Sequence, residues 1–415
     1  MKSTVVVGGG IIGLCSAYYL HKKGHKVTVL EKSEQPTGAS IVNAGYLTPS
    51  HFVPLAAPGV ILQGIKWMLN SKSPFYIKPR WDIEFFKWAW AFYRSSTAKK
   101  VKKAIPVLLN FNLLSSRLFD EIKESGDLGP FHFERKGLLM LYKTEAYEAK
   151  EKEMAEKGTA LNLEVNGVTK KQLQEMQPEV NVSAKGACHY HCDAHSTPID
   201  FMSRMADYLT RSGVRIVYGE AVEYFNISEH RIQSVKTKEN TYEADNVVLA
   251  AGTWSSNLAK KLGITLQIQP GKGYCINVYR PTGIKIPAIL SEAKIAVTPM
   301  DGFTRFAGTM EFSGINHNIN KNRVQAIADE VNTYYPEIKI TEEEIDAAKC
   351  GLRPVSPDGL PYIGKVEGFE NLVIATGHAM MGWSLGPGTG KLVSEIISNK
   401  QLSMDIGAFN PNRKF

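Results

Sequence analysis

The sequence predicts an α/β protein in which a Rossmann-like, mainly parallel sheet is interleaved with an α+β domain built on a mainly antiparallel sheet. Three observations predict it. A short β-branched run, Val5-Val6-Val7, enters a glycine-rich turn and then a helix. Two further apolar strands, at residues 245–251 and 372–375, end on small-residue turns that open helices far downstream. Between them lie alternating strand segments at 266–278, 295–298 and 303–309. The nucleotide-type sheet is therefore expected to begin near the N-terminus and to be completed late, with the other domain inserted. At 415 residues the chain is long enough for two domains.

The first unit carries the clearest chemistry. Residues 11–23 read as a helix, with Ile12, Ala17, Tyr19 and Leu20 near helical spacing and Gly24 as its stop. Val27, Val29 and Leu30 form the next strand, and Glu31 ends it. In Gly8-Gly9-Gly10-Ile11-Ile12-Gly13, Gly8 allows the tight turn and Gly10 lets backbone approach a pyrophosphate. Gly13 lets the helix pack close to the strand. The helix N-terminus offers free N–H groups to phosphate oxygens. Glu31 stands where a carboxylate accepts hydrogen bonds from a ribose diol. Strand, turn, helix and acid together predict an adenine dinucleotide.

Composition narrows the class. The formal charge of +8 is modest for the length, and no Lys/Arg block suggests a nucleic-acid arm. The apolar N-terminal run is the nucleotide strand and lacks a credible small-residue cleavage site, so a secretion signal is not expected. No stretch of some 18 apolar residues is present, so no spanning helix is expected. Five unevenly scattered cysteines suit a reducing cytosol without disulfides.

The remaining elements follow in order. Residues 36–46 form a loop of small residues that suits either a cofactor edge or a plain surface. From 51 to 64 the chain is apolar and proline-interrupted. Trp67, Phe75, Tyr76, Trp81, Phe85, Phe86, Trp88, Trp90, Phe92 and Tyr93 then alternate with Lys66, Lys72, Lys78, Arg80, Lys87 and Arg94. That mixture suits a bilayer interface and a packed helical wall equally well. Residues 99–125 predict an amphipathic helix, 131–142 a strand or hairpin, 146–157 a charged helix, and 169–176 a helix capped by Thr169. The run from Cys188 to His195 resembles a metal cluster. Strand alternation splits Cys188 and Cys192 from His189, His191 and Asp193, so no metal is expected. A helix follows at 198–211, a strand–turn–strand piece at 213–222 and a small meander at 232–243. Residues 322–335 predict a helix. A turn-rich loop carrying Arg353 is expected at 350–364, and a last helix at 391–398.

Taken together, Gly8 to Glu31, Gly351-Leu352-Arg353-Pro354 with Pro357-Asp358-Gly359-Leu360-Pro361, and Thr376-Gly377-His378 through Gly390 resemble the FAD-dependent D-amino-acid oxidase superfamily. The resemblance spans nearly the whole chain. It is nearest to the bacterial D-amino-acid dehydrogenases, which the Tyr76–Arg80 stretch also resembles, and less near to glycine oxidase. It implies an FAD-binding domain from residues 1–50, 145–270 and 340–415, and a substrate domain from 51–144, with a helical insert, and 271–339.

The resemblance also implies roles. Gly8, Gly10, Ile11, Ile12 and Gly13 would hold the pyrophosphate, and Glu31 with Lys32 the adenosine end. Ser40, Asn43, Ala44 and Gly45 would lie along phosphates and flavin, and Val222 would meet the adenine. Ala251, Gly252 and Trp254 would close on the cofactor. Gly377, Met380, Met381, Gly382 and Trp383 would surround the flavin ring. Arg353 would bind a substrate carboxylate, although composition alone suits an arginine bonded to turn carbonyls. Tyr274 is a weaker pocket candidate. His378 would either contact flavin or pack structurally. Relatives in the sarcosine oxidase branch attach flavin to a cysteine near this arginine. Gly351 falls at that register and Cys350 one residue away, so non-covalent FAD is expected.

The implied reaction is oxidation of the C–N bond of a D-amino acid, or of a D-imino acid such as D-proline or hydroxyproline. A quinone or other membrane carrier would take the electrons. A soluble oxidase releasing peroxide and a flavin-binding subunit of a larger complex are the alternatives. The expected location is the cytoplasm, with peripheral contact on the inner membrane face.

Overall fold

The structure, a computed structural model, describes residues 1–60 and 73–415. Lys66, Trp67, Lys72 and the end of the apolar segment 51–64 lie outside the described residues.

The opening strand Ser3–Val7 sits in the middle of a six-stranded sheet. Its apolar side chains from Val5 to Val7 are buried on both faces, as a central parallel strand requires. Lys26–Leu30 and Asn246–Leu249 flank it in parallel. Arg215–Val217 and Leu372–Thr376 extend the sheet in the same direction, and Tyr362–Lys365 closes one edge antiparallel. The sheet is thus assembled from segments more than 200 residues apart in sequence. The last helix, Gly386–Ile397, packs on the first, Ile11–Lys22. Glycines permit that contact: a Cβ at Gly390 would lie 2.4 Å from the Cys15 carbonyl oxygen.

The second layer is a nine-stranded, mainly antiparallel sheet. Gln269–Val278 and Phe303–Phe312 are its long central pair, and Lys349–Val355 lies on the outer side of Gln269–Val278. Two small three-stranded sheets complete the molecule. One is the expected meander, Val222–Ser228, Arg231–Thr237 and Thr241–Glu243. The other joins Tyr46–Leu47, Ala194–Ser196 and Phe133–Glu134. Among the described residues, no helix is long and apolar enough to cross a membrane.

Three expectations are corrected. Residues 131–142 do not form one hairpin. Gly137, with φ of 72°, turns the chain so that Phe133–Glu134 and Leu138–Tyr142 enter different sheets. Within residues 145–190, Val165–Thr169 and Gly186–Tyr190 belong to the nine-stranded sheet. Arg353 stands on a strand rather than in a loop, because residues 349–355 pair with 269–275 in unbroken register. Finally, the last helix begins at Gly386, not 391. Its glycines read as loop by propensity but are buried against Ile11 and Cys15, where side chains would not fit.

Candidate active site

The glycine turn behaves as its spacing predicts. Gly8 has φ of 114°, a conformation that favours glycine, and a Cβ there would meet the Ala250 carbonyl at 2.5 Å. A Cβ at Gly13 would lie 1.8 Å from the Gly8 carbonyl oxygen, so only glycine lets the helix start this close to the strand. The helix Ile11–Lys22 has no side-chain cap and no acid in its first turn. The Ile11 N–H donates to Ser40 Oγ, and the next amides face a cavity bordered by Gly8, Gly10, Ile11 and Ile12. Glu31 accepts from the Gly9 and Ser33 amides at 2.8 and 2.9 Å, which aims its remaining lone pairs into the same cavity. Uncapped amides beside an oriented carboxylate fit a pyrophosphate and a ribose diol.

The cavity holds about 1010 Å³ and runs from this turn to the nine-stranded sheet. Lys32, Val222, Ala251, Gly252 and Trp254 border it near the turn, with the Lys32 ammonium 3.3 Å from the Trp254 ring centre. Gly252 has φ of 53°, and the space beyond its Cα is open. Ser40, Asn43 and Ala44 border the middle, and Met380, Met381 and Gly382 the far side. The loop carrying Asn43 is held from beneath by Arg305. That buried guanidinium donates to the carbonyls of Ile41 and Asn43 at 2.8 and 2.6 Å and to Asn277 Oδ1 at 2.9 Å. Thr298 Oγ1 donates to the Ala44 carbonyl. The cradle thus fits an extended dinucleotide with its adenosine end at Glu31.

Arg353, on the nine-stranded sheet, fronts the cavity. Strand alternation puts Gly271, Gly273 and Gly351 on its face of the sheet. Its guanidinium lies directly over Gly273, where a Cβ would come within 2.3 Å of both terminal nitrogens. One N–H donates to the Thr309 carbonyl at 2.8 Å. Thr309 has φ of 71°, a strained conformation for a β-branched residue, and this turns that carbonyl toward the arginine. Among the described residues no carboxylate pairs with Arg353. Burial, the main cause, pushes its pKa down to about 10. A half-buried guanidinium that borders the cavity without a carboxylate partner among the described residues is suited to an anion.

Other expected residues take different positions. Tyr274 borders the cavity, but alternation turns its side chain to the opposite face from Arg353, and its hydroxyl donates to Glu311. Burial and that carboxylate raise its pKa. His378 is buried and bonded to Thr389 Oγ1 at 2.9 Å, and burial pushes its pKa down to about 3. Because the Thr389 hydroxyl donates to the Leu385 carbonyl, it accepts from His378 Nε2–H, which ties the ring to the last helix. The Trp383 side chain belongs to the core, its indole N–H donating to Ser196 Oγ. Gly13, Gly45 and Gly377 stand behind the wall. Gly45 and Gly377 have φ near 80° and abut Ser196 and Tyr362. Cys350 points away from the arginine face, its Sγ against the His317 carbonyl.

Sequence reasoning missed three parts. Arg305 gives no local signal, because its role depends on the contact with residues 41–43. Ser50 links the His51 ring at the cavity wall to the buried Asp193, whose pKa burial raises to about 7. The helix Ile83–Ser95 turns out to serve two faces. Phe85, Trp88 and Phe92 border the cavity, and the Trp88 indole N–H donates to the Val355 carbonyl on the arginine strand. Its outer face is bare, with Trp81 just before it 98% exposed, Trp90 63% and Tyr93 60%.

Comparison with known proteins agrees with this geometry. The family described as FAD dependent oxidoreductase matches residues 3–396. A D-amino acid dehydrogenase of Helicobacter pylori is 30% identical over 399 residues, covering 95% of this chain and 94% of its own. One from Neisseria gonorrhoeae is 30% identical over 409 residues, covering 95% of each. Among solved structures, glycine oxidase from Geobacillus kaustophilus aligns over 100% of both chains with a TM-score of 0.79 at 22% identity.

Gly273 supports Arg353 without offering a functional group of its own. Gly273→Ala is expected to push the guanidinium out of place, lowering kcat/KM for carboxylated substrates by about tenfold or more. FAD content is expected to stay at the wild-type level. Steady-state kinetics with flavin absorbance check both, and wild-type kcat/KM would contradict the contact.

Proposed function

The chain is a member of the FAD dependent oxidoreductase family, and on that premise we propose that it oxidises the Cα–N bond of a D-amino or D-imino acid. The observation that carries the reading is Arg353, half-buried and without a carboxylate partner among the described residues. A planar guanidinium pairs with a substrate carboxylate through two charge-assisted hydrogen bonds. The Thr309 carbonyl and the flat surface of Gly273 fix the plane of that fork. Phe85, Trp88 and Met310 wall the same end of the cavity, exclude water and leave room for an apolar side chain. FAD, when bound, supplies the acceptor for two electrons and the Cα hydrogen. The chain's part is orientation; the imine from a primary amino acid hydrolyses in water to a 2-oxo acid and ammonia, whereas the cyclic imine from an imino acid retains its nitrogen. The names of the dehydrogenases from Helicobacter and Neisseria support the D-configuration. FAD is held without a covalent bond in this reading, because Gly351 rather than Cys350 faces the cradle.

The electron acceptor in this reading is a quinone or another membrane-held carrier, and the protein docks peripherally on an anionic leaflet. The helix Ile83–Ser95 supports it. Trp81, Ile83, Phe86, Trp90 and Tyr93 are exposed beside Lys87 and Arg94, while the same helix walls the cavity. Amphipathic rings next to positive charge suit the headgroup region.

Arg353→Ala is expected to lower kcat/KM for carboxylated substrates by about two to four decades, equivalent to roughly 3–5 kcal/mol. FAD is expected to stay bound, and Arg353→Lys to be impaired as well. A variant within about threefold of wild type would sink the carboxylate role. For the acceptor, anionic vesicles are expected to retain the protein in a salt-sensitive way, with a quinone analogue turning it over far faster than air. Full-rate peroxide production by protein that ignores vesicles would replace this reading with a soluble oxidase.

A further inference from the structure

One cluster of ligand-type side chains among the described residues lies outside the cofactor cavity: His132, Glu134 and His195. It is built on the smallest sheet, where Ala194–Ser196 pairs with Phe133–Glu134 on one side and Tyr46–Leu47 on the other. Register places His195 directly opposite Glu134. His195 is fully buried, yet neither of its ring nitrogens has a hydrogen-bond partner. The Pro299 carbonyl lies near the ring without reaching hydrogen-bond geometry. A buried imidazole with both nitrogens unsatisfied is costly and calls for a missing partner.

The surrounding distances say what kind of partner fits. Glu134 Oε2 lies 3.3 Å from His195 Nε2 and 3.8 Å from His132 Nε2. The closer contact is within hydrogen-bond distance but misaligned, so the nitrogen does not point at the oxygen. All three ligand atoms lie within 4.8 Å of one another. Ligands about 2.0–2.1 Å from a tetrahedral metal stand roughly 3.3 Å apart. His132 Nδ1 lies 2.8 Å from Thr197 Oγ1, an outer-shell contact that, with the imidazole as donor, presents Nε2 as a ligand. Lys136 Nζ sits 2.8 Å from Glu134 Oε2, a cation already drawn to the same carboxylate. Its side chain is 43% exposed and free to swing into solvent. His132 and Glu134 are partly exposed, which gives an ion a way in.

We propose that His132 Nε2, His195 Nε2 and the Glu134 carboxylate form a site for a zinc-type divalent ion, with a fourth position open to water. Two imidazoles and one carboxylate suit zinc by ligand chemistry. The ion would act as a clamp. Ser196, next to His195, donates its N–H to the Gly45 carbonyl and accepts from the Trp383 indole. The site would therefore stiffen the strand that supports the loop along the cofactor, without taking part in the redox step.

The test uses the FAD-loaded protein, treated with a chelator, dialysed against Zn²⁺, desalted and assayed for metal. About one zinc per chain is expected, with a rise in Tm that the chelator reverses. His132→Ala and Glu134→Gln alter partly exposed side chains and are expected to lose the zinc while keeping FAD content and far-UV circular dichroism. Lys136→Ala is expected to bind at least as tightly as wild type, because it removes the competing cation. Co²⁺ is expected to give visible tetrahedral bands in wild type and none in the two ligand variants. Wild-type protein that retains no zinc after desalting would overturn the proposal, as would variants that hold as much as wild type.

Discussion

The structure depends on a half-buried positive charge that pairs with no carboxylate among the described residues. Arg353 sits at the seam between the parallel and antiparallel sheets, held by one backbone carbonyl and a glycine surface. Partial burial of a guanidinium without a carboxylate disfavours its charged form. In the proposed reading, an anion arriving from the cavity would offset that cost. Much of the neighbourhood keeps that position available. Gly271, Gly273 and Gly351 clear its face of the sheet, Thr309 turns a carbonyl toward it, and Trp88 locks the aromatic wall to its strand. Tyr274 and Glu311, which would compete for it, point to the other face.

A second arginine does the complementary job. Arg305 spends its donors on backbone and amide oxygens of residues 41, 43 and 277, so it organises the cofactor loop instead of receiving a ligand. Two arginines on one sheet, one buried and one half-buried, thus differ in their partners. The difference is whether carbonyls already satisfy the guanidinium. The aromatic helix Ile83–Ser95 shows a similar division between an inner face that shapes the cavity and an outer face left bare.

Legibility in the sequence followed how local each constraint is. Gly8, Gly13 and Glu31 act within one strand–turn–helix unit, so their spacing alone exposed the nucleotide end. The motif singled out Arg353, but its place on a strand was not legible, because its pairing partner lies about eighty positions earlier. The helix at Gly386 was hidden because glycine disfavours helices in isolation, and only packing on Ile11 and Cys15 reverses that preference. The pairing of Val165–Thr169 and Gly186–Tyr190 into the nine-stranded sheet had no local signal either, because strand pairing across the chain is a tertiary property. His195 was noticed within its Cys/His run. Its companions His132 and Glu134 lie some sixty residues upstream, where no spacing rule connects them.

The central claim is that an unpaired guanidinium selects the substrate by its carboxylate. Anaerobic single-turnover reduction of bound FAD tests it with one pair of compounds, a D-amino acid that turns over and its carboxamide. The account predicts that the carboxylate bleaches the flavin and that the amide does so at least about 100-fold more slowly at equal concentration. Equal rates for the two would contradict it.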